Sequence, residues 1–271
     1  MPLAARAGYP TYWQVIGDGP RPAIALHCSL AHGGALHGLL EPLSDVLSTT
    51  AIDQPGHGRS GDWPGGRPFQ EAMVEILHDF VAGAEGPVDL IGHSFGGTCC
   101  LRVAAEATQQ VRSLTLIEPP FYAALRAVGA PEMALQDRLD APFAEALARG
   151  DFEAAARGFF QAWGSGLPWE TLPPDQQRYM VDRIPLIEGA GHALNADLGG
   201  LLEPGRLEAV DIPVLLVRGT FSPPSIPAIE RVLAERLPRA ETAVIEGAGH
   251  MVPITHPERV AGILRGFLSR T

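Results

Sequence analysis

The stretch Val88-Asp89-Leu90-Ile91-Gly92-His93-Ser94-Phe95-Gly96-Gly97-Thr98 contains, in order, a short apolar run, a glycine-flanked serine and the start of a helical pattern that continues to Ala107. Short aliphatic runs read as strand, and apolar residues recurring every three or four positions read as helix. Gly92-His93-Ser94-Phe95-Gly96 therefore occupies a strand-to-helix turn. Such a turn needs small residues on both flanks so that strand and helix can pack closely, and it holds the serine in a strained conformation that pushes its hydroxyl out above the strand. The N–H of the next residue, Phe95, points where charge develops on an attacked carbonyl oxygen. Ser94 is thus the candidate nucleophile, and the Phe95 amide a candidate oxyanion donor.

Outward from this turn, apolar runs at residues 23–26, 49–52, 114–117, 214–217 and 242–245 alternate with helical patterns at 35–47, 69–84, 226–237 and 257–268. Strands that alternate with helices predict an α/β fold with a mostly parallel, twisted sheet flanked by helices. In the last helix Pro257 suits a first turn, with Thr255 or His256 as cap. Between Pro119 and Val210 the alternation stops, and the chain becomes rich in Ala, Leu and Pro. The expected organisation is a core of residues 1–118 and 211–271 carrying a helical insertion at 119–210. That insertion holds Trp163 and Trp169 together with Phe121, Tyr122, Phe143, Phe152, Phe159 and Phe160, which either line a pocket above the sheet or form a small core of their own.

A chain of 271 residues with 46% hydrophobic and 19% charged residues can bury a large core. Its formal net charge of −11, with no basic run, argues against nucleic acid and anionic membrane surfaces as partners. The N-terminal Met1-Pro2-Leu3-Ala4-Ala5-Arg6 lacks the pattern of a secretory signal, and three cysteines (Cys28, Cys99, Cys100) make no disulfide framework, so a cytoplasmic protein with buried thiols is expected. Without CxxC or HExxH motifs no metal or cofactor is expected, and no heptad or exposed edge speaks to oligomeric state.

Asp53-Gln54-Pro55-Gly56-His57-Gly58-Arg59-Ser60 resembles the D-x-x-G-x-G-x-S turn of α/β-hydrolases, and with Gly92-His93-Ser94-Phe95-Gly96 and the late Gly249-His250 this resemblance spans nearly the whole core. It implies an α/β-hydrolase fold in which residues 119–210 form a helical cap. Gly56 and Gly58 read as turn glycines, and His57 as scaffold. In the family the second oxyanion amide follows the third strand, usually in His-Gly-x; here His27-Cys28-Ser29-Leu30 puts Cys28 at the glycine position and Ser29 at the donor.

A serine needs an imidazole to accept its proton. Ile-Glu-Gly-Ala-Gly-His occurs twice, at residues 187–192 and 245–250, but only the second follows a β-rich run and precedes the C-terminal helix, as the order Ser, acid, His requires. His250 is therefore the expected base, and His192 a local repeat. Many relatives carry Gly-x-x-Asp after the strand at 214–217, whereas this chain reads Gly219-Thr220-Phe221-Ser222. A neutral Ser222 hydroxyl would stabilise an imidazolium less well than a charge does. Glu118, ending the run Leu114-Thr115-Leu116-Ile117, stands on the same rim as the nucleophile and is the expected acid; Asp211, Asp53 and Glu246 fit less well by position.

The expected activity is a serine hydrolase cleaving a small apolar carboxylic ester, thioester or lactone. Two rivals stay open: C–C bond hydrolysis, acyl transfer or lyase chemistry on the same fold, and a ligand-binding protein of low turnover.

Overall fold

The computed structural model of the chain describes residues 3–271; Met1 and Pro2, part of the N-terminal stretch read above, lie outside them. Within the described residues the strands are β1 (Leu3–Arg6), β2 (Tyr9–Ile16), β3 (Arg21–Leu26), β4 (Leu47–Ile52), β5 (Val88–His93), β6 (Val111–Ile117), β7 (Val214–Gly219) and β8 (Ala240–Ile245). They form one sheet in the order β1-β2-β4-β3-β5-β6-β7-β8, parallel from β4 to β8 and antiparallel at β1 and β2. All six expected strands are present. The first two had no legible signal: β2 (Tyr-Pro-Thr-Tyr-Trp-Gln-Val-Ile) is neither an apolar run nor a clean alternation. Its hairpin with β1 turns on Ala7-Gly8, both at positive φ, rather than on an Asn-Gly or Asp-Gly pair.

The helices are α1 (His37–Leu40), α2 (Phe69–Ala82), α3 (Phe95–Glu106), α4 (Tyr122–Ala127), α5 (Pro131–Ala148), α6 (Phe152–Trp163), α7 (Pro174–Arg183), α8 (Leu186–Ala196), α9 (Ser225–Arg236), α10 (Val252–Thr255) and α11 (Pro257–Leu268). The expected helix at 35–47 is corrected to a broken set of turns around α1, and Leu47 begins β4. Leu36, Leu39, Leu40 and Leu43 are all buried, which is why their spacing imitates a helix, while Pro42 limits its length. At α11 His256 is the N-cap residue but contributes no side-chain cap, and its ring is held instead by the Thr255 hydroxyl.

Parallel strands buried on both faces alternate their side chains between two cores. Leu114, Leu116, Val214 and Leu216 pack on the side of α2, α3 and α9, whereas Ile117, Leu215 and Val217 face α1 and α11. Cys28, Cys99 and Cys100 are buried free thiols, and burial pushes Cys28 and Cys100 up to about 12, so both stay protonated. Between β6 and β7 the chain is helical, from α4 to α8, and its Ala146, Ala155, Trp169, Met180 and Ile184 form a separate small core with Leu30 of the loop after β3. No helix among the described residues is long and apolar enough to cross a membrane.

Candidate active site

In the sheet His93 pairs with Ile117 and Ile117 with Val217, so the C-terminal ends of β5, β6 and β7 share one rim. The chain leaves β5 and enters α3 within a single residue. Ser94 takes φ 54° and ψ −125° and is the N-cap of α3, which begins at Phe95, earlier than its apolar pattern suggests. The crowding at this turn explains both glycines. A Cβ on Gly92 would lie 2.5 Å from Gly97 Cα, and one on Gly96 would lie 2.5 Å from the Leu26 and His27 carbonyl oxygens. Backbone cannot yield there as a flexible side chain would. Gly96→Ala is therefore expected to destabilise the fold by about 3 kcal/mol, the upper range for overpacking, and to lower Tm by roughly 6–12 °C. A Tm within about 2 °C of wild type in a thermal melt would show that the β3–α3 contact is not tight.

Ser94 Oγ stands 2.9 Å from His250 Nε2, and His250 Nδ1 stands 3.1 Å from Glu118 Oε2. All three side chains are buried. Glu118 Oε1 accepts the Gly219 N–H at 2.7 Å and the Ser222 hydroxyl. With Nδ1–H donating to Oε2, three donors converge on this carboxylate. The same Nδ1–H bond leaves the Nε2 lone pair facing Ser94. Ser222 thus supports the carboxylate rather than the imidazole. Asp53 is engaged elsewhere, accepting the Gly33 and Arg59 amides at 2.6 and 2.8 Å, while Asp211 and Glu246 are exposed.

His93, the variable residue of the turn, contributes what its sequence position did not reveal: its Nε2–H donates to the His250 carbonyl at 2.9 Å. Burial, then the neighbouring His250, pushes His93 down to about 3, so it remains a neutral tether. On the other side Trp163 meets the His250 ring edge-on, with centroids 4.6 Å apart. His250 is thereby held at its backbone and its ring as well as at both nitrogens.

Phe95 and Ser29 line the same cavity as Ser94, and among the described residues neither amide N–H donates to a protein acceptor. Phe95 opens α3, where the free N–H groups and the helix dipole favour negative charge. In the Ser29 loop the left-handed residue is Leu30, at φ 59°, and not Cys28; a side chain at the position where relatives have glycine is therefore accommodated. His57 fixes this loop. Its Nδ1–H donates to the Pro55 carbonyl at 3.0 Å, and Nε2 accepts the Leu30 N–H at 3.1 Å. Burial lowers His57 to about 4, which preserves that acceptor at neutral pH. Gly58, at φ 55°, leaves no room for a Cβ beside the Asp53 carboxylate. The Asp53–Ser60 turn is scaffold, as its composition suggested.

Ser94 and His250 open into a cavity of about 300 Å³, walled by Phe143, Phe159, Trp163 and Ile187 from the helices between β6 and β7. A second cavity of about 1040 Å³ shares Ser29, Phe159 and Trp163 with it and extends past Met251 and Ile254. Although larger, it does not reach Ser94. Of the aromatic residues in the insertion, Tyr122, Phe143, Phe159 and Trp163 line the smaller cavity, Trp169 belongs to the local core, and Phe152 is exposed. His192 lies on α8 and does not line this cavity, although its neighbours Gly191 and Asn195 do. Among the described residues no cluster of His, Cys, Asp or Glu is arranged to hold a metal ion.

The profile of the alpha/beta hydrolase family matches residues 26–263. Lipase LipV of Mycobacterium tuberculosis is 27% identical over 262 residues, covering 93% of this chain and 94% of the relative. A pimeloyl-acyl-carrier-protein methyl ester esterase of Neisseria meningitidis serogroup B is 30% identical over 253 residues, covering 88% of this chain and 91% of the relative. Among solved structures, an alpha/beta hydrolase from Sphaerobacter thermophilus aligns with a TM-score of 0.70 at 25% identity over 96% of this chain and 97% of its own. The esterase EaEST from Exiguobacterium antarcticum shares the fold with a TM-score of 0.78 at 18% identity, covering 98% of each chain.

Proposed function

Because the chain belongs to the alpha/beta hydrolase family, we propose that it is a serine hydrolase that cleaves a small carboxylic ester, thioester or lactone through an acyl-enzyme on Ser94. The observation that carries this reading is the continuous hydrogen-bonded chain Ser94 Oγ, His250, Glu118, at 2.9 and 3.1 Å. The names of the lipase and methyl ester esterase relatives support ester bonds as the target.

His250 Nε2 takes the proton of Ser94 as Oγ attacks the acyl carbon, and the Glu118 carboxylate holds the imidazole in the required tautomer and stabilises its positive charge. The Phe95 and Ser29 amides receive the oxyanion, adding the field of the α3 N-terminus. Collapse of the tetrahedral intermediate expels the alcohol or thiol, which takes its proton from His250. Water, deprotonated by the same imidazole, then releases the acid and restores the Ser94 hydroxyl. Residues 119–210 act as a cap whose aromatic side chains cover the acyl group and exclude bulk water.

The test is covalent labelling by a fluorophosphonate, read by intact mass. The wild type is expected to gain one adduct, and Ser94→Ala none. A folded wild type that takes up no label, or a Ser94→Ala variant that labels equally, would overturn the nucleophile assignment.

A further inference from the structure

The smaller cavity is lined by apolar side chains together with the nucleophile, and α5 adds a carboxylate to its wall. Asp140, on α5, is mostly buried there. Its Oδ1 accepts two hydrogen bonds, from Trp163 Nε1–H and Gln136 Nε2–H, both at 3.0 Å. Gln136 is fully buried, and its Oε1 accepts the hydroxyl of the equally buried Ser225 of α9 at 2.7 Å. This relay leaves the Gln136 NH₂ facing Asp140 and anchors the carboxylate to the core. Oδ2, by contrast, has no protein donor.

A carboxyl largely removed from water is costly unless its oxygens are satisfied, and Oδ2 is the oxygen left for a partner from outside the protein. Incomplete compensation is visible in Asp140 itself, which burial pushes up to about 6. Other polar groups on the wall are already occupied or neutral. The Arg126 guanidinium donates to Asp137 at 2.8 Å and to Asn195 at 2.7 Å, so its charge is spent within the protein. Tyr122 is kept protonated by burial. With Arg126 offset by Asp137, the wall is left negative by Asp140, which disfavours an anionic group and suits a hydrogen-bond donor.

Met251 and Ile254, which follow the imidazole that protonates the departing group, line the larger cavity; that space takes the leaving group and the smaller one the acyl chain. Resting on the serine-hydrolase reading above, we infer that Asp140 is a specificity-determining residue, its Oδ2 receiving a hydroxyl, amide N–H or ammonium at the far end of the acyl group. The substrate class is accordingly an ester of an acid that bears a donor at its end, in preference to a plain alkanoate or a dicarboxylate half-ester.

The experiment compares kcat/KM for p-nitrophenyl esters of straight-chain acids of varied length ending in methyl, hydroxyl, ammonium or carboxylate, with wild type and Asp140→Asn. At the best length a donor-ended ester should exceed the methyl-ended one by about tenfold or more, the worth of one buried hydrogen bond to a charged acceptor, with the carboxylate-ended ester poorest. In Asp140→Asn the carbonyl oxygen keeps the Trp163 and Gln136 bonds, so an NH₂ faces the cavity; donor-ended esters should lose about tenfold while carboxylate-ended esters gain. A methyl-ended ester preferred at every length would overturn the inference. So would an Asp140→Asn variant that slows all esters by one common factor, because Asp140 would then only position Trp163 against His250. Fluorophosphonate labelling of both proteins separates the two readings: labelled enzymes without donor preference sink the inference alone, whereas an unlabelled wild type sinks both.

Discussion

Glu118→Gln is expected to lower kcat by about 10⁴ while leaving the fold intact, the scale seen when the orienting acid of a serine triad becomes its amide. The reason lies in the donors around the carboxylate. Gly219 N–H and the Ser222 hydroxyl both point at Oε1, so an amide at this position turns its oxygen toward them and its NH₂ toward His250 Nδ1. The imidazole must then accept at Nδ1 and carry its proton on Nε2, where it cannot take one from Ser94. Single-turnover acylation, compared with the thermal melt of the same variant, measures the effect; activity within about tenfold of wild type would refute the role of Glu118. Because Ser222 stands where many relatives carry the acid, the double variant Glu118→Ala, Ser222→Asp should recover about a hundredfold over Glu118→Ala. Ser222→Asp alone sets two carboxylates against each other, and one of them must hold a proton. That variant is expected to be slower than wild type despite its added charge.

The second large effect is on acid stability. His27, His57 and His93 are fully buried, and desolvation lowers all three, His57 to about 4 and His93 to about 3 against an ordinary value of 6.5. Below pH 6.5 the unfolded chain therefore binds protons that the folded chain refuses, and stability falls with pH. The loss starts at the unfolded value and continues until the folded values are reached. Each such histidine contributes roughly 1.4 kcal/mol per pH unit in this window. Asp140, raised to about 6, and Glu230, raised by burial, act in the opposite sense, since the folded state takes up their protons first. The expected net slope is about one to two protons, or roughly 1.4–2.7 kcal/mol per pH unit between pH 6 and 4.5. Across that interval the loss is roughly 2–4 kcal/mol, a large share of an ordinary stability of about 5–15 kcal/mol. Denaturant melts across the range should show it, and His57→Gln should remove one proton's worth of slope. A midpoint that stays flat from pH 7 to 5 would contradict the assignment of these histidines as buried and neutral.

The site was legible in unequal measure. Ser94 is readable because its turn needs glycines on both sides, a steric demand written into five consecutive residues. Glu118 is readable only by its place at the end of a strand and by the lack of a carboxylate at 222. His93, Trp163 and Ser222 were not readable in their actual contacts, since each is defined by a partner more than fifty residues away in the chain. Trp163 was visible as one of the insertion's aromatic residues, but not that its ring would meet His250.

The repeated Ile-Glu-Gly-Ala-Gly-His marks the boundary between the two kinds of information. At residues 187–192 it forms part of α8, and at 245–250 the same six residues end β8 and turn, with Gly247 at φ 80°. Local preference is identical in both copies, so what separates them is the surroundings. The first copy packs Ile187 and Ala190 against neighbouring helices, while the second pairs Ile245 with Gly219 on the sheet edge. The amino-acid sequence by itself determined the alternating strands and helices, the nucleophile turn and the order in which the chemical groups occur. Only the tertiary structure decided what holds those groups, with His93 and Trp163 against His250 and Gly219 and Ser222 on Glu118, and what the cavity presents to a substrate, because those depend on strand ends brought onto one rim by hydrophobic burial between distant segments.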